Sequence, residues 1–458
     1  MEFTSFSVTS ERLWCISLKR FKIQIIHVGN MANKGTEALL KSDICVLQSL
    51  TNGQAAFSVS TTDIEGVKRL KLPLNAVLPT MIDIPYEKAD TSAKKLGFSR
   101  ANVKYKVFAI GSLVFMLFQA LMSAGSAISV KLGLKGFYRA DVLKNIKDSD
   151  VVVSYSDENF KETASFLPLN VYWVLTWWSM LFSRVWDVLT AKYLGKHVVM
   201  FPNSIGPFRT GIGRLMARLA LNSCDHVLVR EPISYEVVNS LGVGCKTVLT
   251  SDTTILLPGK ASFSLDGVSR PLIGVSPGFY AHSLSEEGVE KYISEHAKLL
   301  DIAVEKYGFS VVFLPHYVRG FGYDDLEVSK LIMGRMSNKE RARILELDSA
   351  EAFKSALGCM DMVVSSKMHP AVLATSCYVP TLCIAYDEKQ SGFFRLLQLG
   401  DCVVSIRDFT CARLSLKLDF VWRRKKEIRA SLKKKIPVLQ QNVREAIRYV
   451  LIPFLEVR

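Results

Sequence analysis

Lys367 and His369 stand in the segment Ser365-Ser366-Lys367-Met368-His369, between an apolar run, Met362-Val363-Val364, and a helix-like stretch from Ala371 to Ser376. That order puts a cation and an imidazole where a buried strand hands over to a helix N-terminus. Unpaired amides and the positive end of the helix dipole gather there, so the segment is an anion site suited to a phosphate or a carboxylate. Lysine supplies fixed charge, and histidine is the side chain that exchanges a proton near neutral pH.

Other loops carry matching chemistry. Arg230 follows the apolar run Val227-Leu228-Val229 and can fork onto a carboxylate or phosphate through two hydrogen bonds. A surface pair between Arg230 and Glu231 is the competing reading, with Ser234 free to cap the segment after it. Asp252, after Thr250-Ser251, either brings a carboxylate to a cleft or caps a turn. His316 ends the strand Val311 to Leu314 through Pro315; a lone histidine there either faces the cleft or serves the scaffold. The loop from Phe201 to Phe208 combines two prolines with Asn203, Ser204 and Gly206, a rigid polar turn at a sheet edge. The first loop, His27 to Gly35, contains Asn30 and Lys34 but meets neither the dinucleotide nor the Walker pattern, so it reads as an ordinary strand-to-helix turn.

These residues must be held by a doubly wound scaffold. Lys22 to Val28 reads as a strand and Thr36 to Leu50 as a helix, with Thr36 placed to cap it and Glu37 in its first turn. Asp150 to Ser154 and His197 to Phe201 are continuous apolar strands of the kind covered by helices on both faces, with shorter strands at 227–229 and 247–249. A Pro-, Gly- and Ser-bearing linker at 257–271 precedes a restart: strands at 272–276, 310–314, 361–365 and 381–386, with helices at 286–307 and 392–399. The fold class is therefore α/β, two Rossmann-like domains facing a cleft. The boundaries are an extension at 1–21, domains at 22–262 and 263–410, and a basic helical tail at 411–458.

The 458 residues are 49% hydrophobic and 22% charged, which suits a well-buried globular chain and excludes a disordered one. Of the formal net charge of +15, the stretch from Cys411 onward contributes 13 Lys or Arg against 4 Asp or Glu, so its partner is anionic. With no aromatic platform beyond Trp422, that tail does not read as a nucleic-acid site. Nine cysteines without a Cys-x-x-Cys pair fit free thiols in a reducing cytoplasm and no zinc site; no metal is expected. Two uncharged stretches, Val107 to Val130 and Thr163 to Ser183, reach spanning length. Embedded in an alternating α/β pattern, they read as buried or interfacial helices. The aromatic cluster Tyr172, Trp173, Trp177, Trp178 and Trp186 is of the kind found at a membrane interface.

Taken in order, Gly29-Asn30 with Gly35 and Glu37, Asn203 to Phe208, Arg230-Glu231 with Ser234 and Leu241-Gly242, Ser251-Asp252, Pro315-His316, Ser365 to His369 with Ala374, and Pro380 to Lys389 with Phe393 resemble the polysaccharide pyruvyltransferases. The resemblance covers roughly residues 22 to 400. It implies a fold like that of GT-B glycosyltransferases and a reaction in which phosphoenolpyruvate, as co-substrate and with no cofactor, gives its three-carbon unit to two hydroxyls of a sugar as a cyclic ketal. It also implies that Arg230, the basic residue at 367 and His369 surround the donor. Arg230 and Lys367 would then hold anionic groups, His369 would be the acid that protonates the methylene carbon, and His316 would activate a hydroxyl. Asn30, Asn203, Ser204, Gly206, Ser366 and Lys389 complete the expected substrate set. The acceptor is a cell-surface saccharide or its lipid-linked precursor, and the protein is placed in the cytoplasm at the inner membrane face, touched by the Trp-rich helix and the basic tail.

Two departures stand out. Lys367 occupies a position where relatives tend to have Arg, which keeps the charge and loses the fork. Ser154-Tyr155-Ser156-Asp157 stands where relatives tend to carry Gly-Gly, and a tyrosine narrows that space. A glycosyltransferase of the same architecture using a nucleotide sugar, and a non-catalytic glycan-binding relative, are the alternatives.

Overall fold

Runs such as Val151-Val152-Val153 and Met362-Val363-Val364 cannot turn a face to water, so they require helices on both sides of a parallel sheet. The computed structural model, which describes residues 21–83, 103–162, 171–243, 246–260, 264–265, 267–278, 286–318 and 324–455, builds that arrangement twice. The first unit runs β1 (Lys22–Val28), α1 (Lys34–Leu50), β2 (Ala56–Thr61), α2 (Ile64–Arg69), β3 (Leu74–Pro79), α3 (Val103–Lys131), α4 (Ala140–Asp148), β4 (Val151–Ser154), α5 (Val171–Tyr193), β5 (His197–Asn203), α6 (Gly211–Ser223), β6 (His226–Val229), α7 (Pro232–Ser240) and β7 (Lys246–Leu249). The second runs β8 (Leu272–Ser276), α8 (Glu286–Tyr307), β9 (Ser310–Phe313), α9 (Asp325–Arg335), β10 (Ala342–Ile344), α10 (Ala350–Gly358), β11 (Met362–Ser365), α11 (Met368–Ser376), β12 (Thr381–Ala385), α12 (Glu388–Leu396) and β13 (Val403–Ser405), then α13 (Cys411–Arg423) and α14 (Lys425–Leu455).

Strand orders are β3-β2-β1-β4-β5-β6-β7 and β10-β9-β8-β11-β12-β13, with parallel pairing throughout. Each order reverses once, between β1 and β4 and between β8 and β11. Ligands of open α/β sheets sit at such reversals, beyond the carboxyl ends of the strands. Alternation along the strands divides the first core: Ile23, Ile25, Val153 and Phe201 join Leu39 and Leu40 of α1, whereas Ile26, Val152 and Met200 join Met116, Val142, Leu181 and Ala217 of α3 to α6.

Three expectations shift. Asn33, not Thr36, caps α1, its side chain accepting from the Gly35 amide, and the helix starts at Lys34. α11 starts at Met368, which puts His369 in its first turn. α12 starts at Glu388 through a capping box between Asp387 and Gln390.

The basic tail is a docked helix. α14 buries Leu432, Ile436, Val443, Ile447 and Leu451 and touches β5 and β6 of the first sheet as well as α11 and α13, while Lys433 and Lys434 stay exposed on its other side. Of the two spanning-length stretches, Val107 to Val130 lies within α3. Residues 163–170 of the other, and the side chains of Tyr172, Trp173 and Trp177, lie outside the described residues. Trp178 and Trp186 turn inward, donating to Glu162 Oε1 at 2.6 Å and Ser123 Oγ at 2.7 Å.

Candidate active site

The carboxyl edges of the two sheets meet at a polar seam. Lys34 N donates to the His316 carbonyl at 3.1 Å, Asn33 bridges to Tyr317, and Ala350 N donates to Glu37 Oε1 at 3.1 Å, so the first loop touches the second domain directly.

Arg230 is fully buried at the end of β6. Its Nε donates to Ser204 Oγ at 2.8 Å and its Nη1 to Asp252 Oδ2 at 2.8 Å, while Nη2 has no hydrogen-bond partner. This is not the surface pair with Glu231. Glu231 instead caps α7 by accepting from Ser234 N. Asp252 takes both of the roles open to it, because its Oδ1 also accepts from Thr254 N at 2.9 Å. Burial pushes the Asp252 carboxyl up, but the Arg230 guanidinium beside it prevails and holds it below its ordinary value.

His369 reaches the same carboxylate from the other domain, its Nε2 3.9 Å from Asp252 Oδ2 and without a hydrogen-bond partner. Burial, helped by Arg230 and Lys389, lowers its pKa to about 4, so the imidazole is neutral at pH 7. Behind the ring lies Gly35. A Cβ there would collide with His369 Nδ1, so the glycine at the start of α1 is what admits the histidine. Gly35→Ala is expected to displace the ring, lowering turnover more than stability; overpacking of this kind costs about 1–3 kcal/mol, read from urea unfolding.

His316 stacks on His369 with ring centroids 6.0 Å apart, and neither of its ring nitrogens has a hydrogen-bond partner. Burial lowers its pKa well below the ordinary value, and the Lys367 charge adds to that. On its far side Lys367 Nζ meets Asp325 Oδ1 at 2.7 Å, and Gly278 leaves the space the lysine stem occupies. Asp325, which also accepts from the His316 and Tyr317 amides, has no signal in the sequence beyond an Asp-Asp pair at a helix start.

Lys389 pairs with Glu158, which is shared with Lys161 at 2.7 Å. Burial alone would raise the Glu158 carboxyl; the two ammonium groups hold it well below the carboxylate range. A small cleft open to solvent lies here, lined by Glu158, Ser204, Gly206, Glu231, Asp387, Glu388 and Lys389 among others. Gly206 has φ +83° and a Cβ there would meet Val237 at 2.9 Å, so both the turn and its packing require glycine.

The structure thus brings Arg230, His369, His316 and Lys367 into one buried seam, with Ser204, Gly206 and Lys389 at the adjoining cleft. Other expected ligands make contacts within the scaffold. Asn30 is exposed and its side chain accepts from Ala32 N within its own turn. The Asn203 amide is engaged by the carbonyls of Tyr155 and Phe201 and by Asn159 N. Ser366 Oγ accepts from the buried Tyr292 hydroxyl at 2.8 Å. Tyr155, in the place of Gly-Gly, is buried and donates to the Thr36 carbonyl at 2.7 Å, filling the space beside α1.

Each cation of the seam already has a carboxylate: Arg230 has Asp252, Lys367 has Asp325, Lys389 has Glu158. A seam neutralised in this way receives an added anion only by sharing these cations or by taking up a proton, and the neutral His369 is placed to take it.

Two doubly wound domains meeting at their carboxyl edges define a GT-B-like protein. Solved structures agree on the fold: the chain is similar to a putative UDP-N-acetylglucosamine 2-epimerase from Listeria monocytogenes (TM-score 0.59, 12% identity, 96% of this chain and 98% of that one) and to the UDP-GlcNAc 2-epimerase of Neisseria meningitidis bound to UDP-GlcNAc (TM-score 0.55, 13% identity, 94% and 100%). At these identities the likeness is one of fold. Residues 75–388, well over half the chain and including Arg230, His316, Lys367 and His369, match the polysaccharide pyruvyl transferase family, and the chain belongs to it. It is also similar to the amylovoran biosynthesis protein AmsJ of Erwinia amylovora, 20% identical over 256 residues, a match spanning 52% of this chain and 61% of that protein's length.

Proposed function

We propose that the protein transfers the pyruvyl unit of phosphoenolpyruvate to two hydroxyls of a sugar, with the donor gripped at the seam and the sugar held at the adjoining cleft. One observation carries the reading: a buried arginine from one domain and a histidine from the other converge on the same carboxylate, with a second histidine and a lysine next in line. A donor that carries carboxylate and phosphate together needs fixed cations and a helix N-terminus, and α11 offers one at Lys367 to His369.

The cleft has the opposite character. Its carboxylates, Glu158, Glu231, Asp387 and Glu388, outnumber Lys389 and suit hydroxyl donors better than a polyanion.

In this reading His369, protonated as the donor binds, delivers its proton to the methylene carbon, which becomes a methyl group and leaves C2 cationic. The first sugar oxygen bonds to C2 as His316 receives the hydroxyl proton. The bond from C2 to the phosphate oxygen breaks, the second oxygen adds to C2, and its proton leaves on His369. The proton held by His316 departs with the phosphate. Of the two hydroxyl protons one thus replaces that given to C3 and the other ends on phosphate. Arg230 lends its unpartnered Nη2 to the donor's anionic oxygens, and Lys367, held by Asp325, keeps positive potential behind His316.

Incubation of the full chain with phosphoenolpyruvate and a panel of saccharide acceptors is expected to release phosphate in step with a new ketal methyl signal in the proton NMR spectrum. Phosphate release without that signal, or turnover with a nucleotide sugar and none with phosphoenolpyruvate, would overturn the proposal.

A further inference from the structure

The exposed apolar side chains of the first domain are concentrated on one face. Val114, Phe118, Leu121, Ile128 and Leu132 recur at helical spacing along α3 and just past its end, and are between 48% and 72% exposed. Ile212, Leu215 and Leu219 form a second exposed stripe on α6, and α5 touches both helices. The inner residues of all three pack on one side of the seven-stranded sheet, so the two stripes share an outer side. Exposed apolar stripes of this kind on one side of a domain mark a contact site.

Charge identifies the occupant. Residues 103–138 contain Lys104, Lys106, Lys131 and Lys135 and no Asp or Glu, and residues 209–224 contain Arg209, Arg214 and Arg218 and likewise no acid. Arg214 and Arg218 are exposed beside the apolar stripe of α6, and Lys131 Nζ lies 4.1 Å from the centre of the half-exposed Tyr193 ring. The exposed charges that α3 and α6 themselves present beside these stripes are cations, the neighbouring Asp83 being paired with Arg139, and they would oppose like charges if a second copy docked here by two-fold symmetry. Anionic lipid complements it.

Leu113 to Lys131 is long and apolar enough to cross a bilayer, but its inner side belongs to the fold. Gln119 exchanges hydrogen bonds with the Asp83 backbone at 3.0 and 3.1 Å, Ser126 Oγ accepts from the amides of Phe137 and Tyr138, and Ser123 accepts from Trp186. Spanning would break all of these, and lying in the interface breaks none. We propose that α3 and α6 together form a docking surface for an anionic bilayer leaflet, with both helices in its plane. The surface is distinct from the basic tail, whose helix spends its apolar side on the protein. The inference stands apart from pyruvyl transfer, since vesicle binding is read without donor or acceptor.

The test is flotation of the full chain with vesicles of phosphatidylcholine alone and of phosphatidylcholine with phosphatidylglycerol. The chain is expected to float with the anionic vesicles and to be released by salt. Leu121→Asp and Leu215→Asp are each expected to weaken partitioning by about tenfold or more, the contribution of a leucine-sized side chain leaving water. The double change Arg214→Glu, Arg218→Glu is expected to weaken it by at least about tenfold at low salt. Lys433→Glu with Lys434→Glu on α14 is expected to leave it unchanged. All these side chains are exposed, and unchanged melting temperatures establish that the variants are folded. No flotation with anionic vesicles, loss only in the α14 variant, or light scattering showing a dimer that Leu121→Asp dissociates would each overturn the proposal.

Discussion

His369→Asn lowers turnover by roughly 10²–10⁴-fold, the range over which a positioned general acid acts, while the protein stays folded. Asparagine is chosen because the ring lies against Gly35 in a site that closely fits its occupant, and a smaller side chain would leave a void. The same variant has a signature in stability. The histidine titrates at about 4 in the folded protein and at its ordinary value of 6.5 when unfolded. Between those values the unfolded chain binds the proton that the folded one refuses, so stability falls as the pH is lowered from 6.5 towards 4 and rises as the pH is raised. Urea unfolding across that window should show His369→Asn with a flatter profile than the parent chain. An unchanged profile together with unchanged turnover would remove His369 from the chemistry.

The second large effect belongs to Arg230. Arg230→Met strips the buried Asp252 of its partner, and breaking one side of a buried ion pair costs about 3–5 kcal/mol. Adding Asp252→Asn removes the stranded charge while keeping an oxygen for the Thr254 amide, so the double variant recovers most of that stability. Donor affinity does not return with it. Stability and donor binding measured on both variants therefore separate the structural role of the guanidinium from its binding role. Recovery of donor affinity in the double variant would mean that the arginine serves only to neutralise Asp252.

Much of the scaffold is legible because the buried strands are written as unbroken apolar runs, and the helix at 286–307 matches α8 residue for residue. The strands at 56–61 and 74–79 are not. Their sequences, AFSVST and LNAVLP, mix small, polar and apolar residues, and β3 at the sheet edge is only half buried, so neither reads as a core strand. At the site, Arg230, Lys367 and His369 announce themselves by following apolar strands. Asp325, Glu158 and the spacing role of Gly35 do not, because each acts through a partner far along the chain or from the other domain. Asn30 and Asn203 are ambiguous for the opposite reason: short amide side chains in loops bond to their own backbone as readily as to a ligand.

With Arg230, Lys367 and Lys389 each already beside a carboxylate, the proposed reaction requires that a donor bearing both phosphate and carboxylate enter together with a proton on His369. Isothermal titration of phosphoenolpyruvate into the full chain at pH 7, repeated in buffers of different ionisation enthalpy, reads affinity and proton uptake together. The expected result is saturable binding with uptake of about one proton, the uptake disappearing in His369→Asn. Absence of binding heat in every buffer, or binding whose proton uptake persists without His369, would contradict the account.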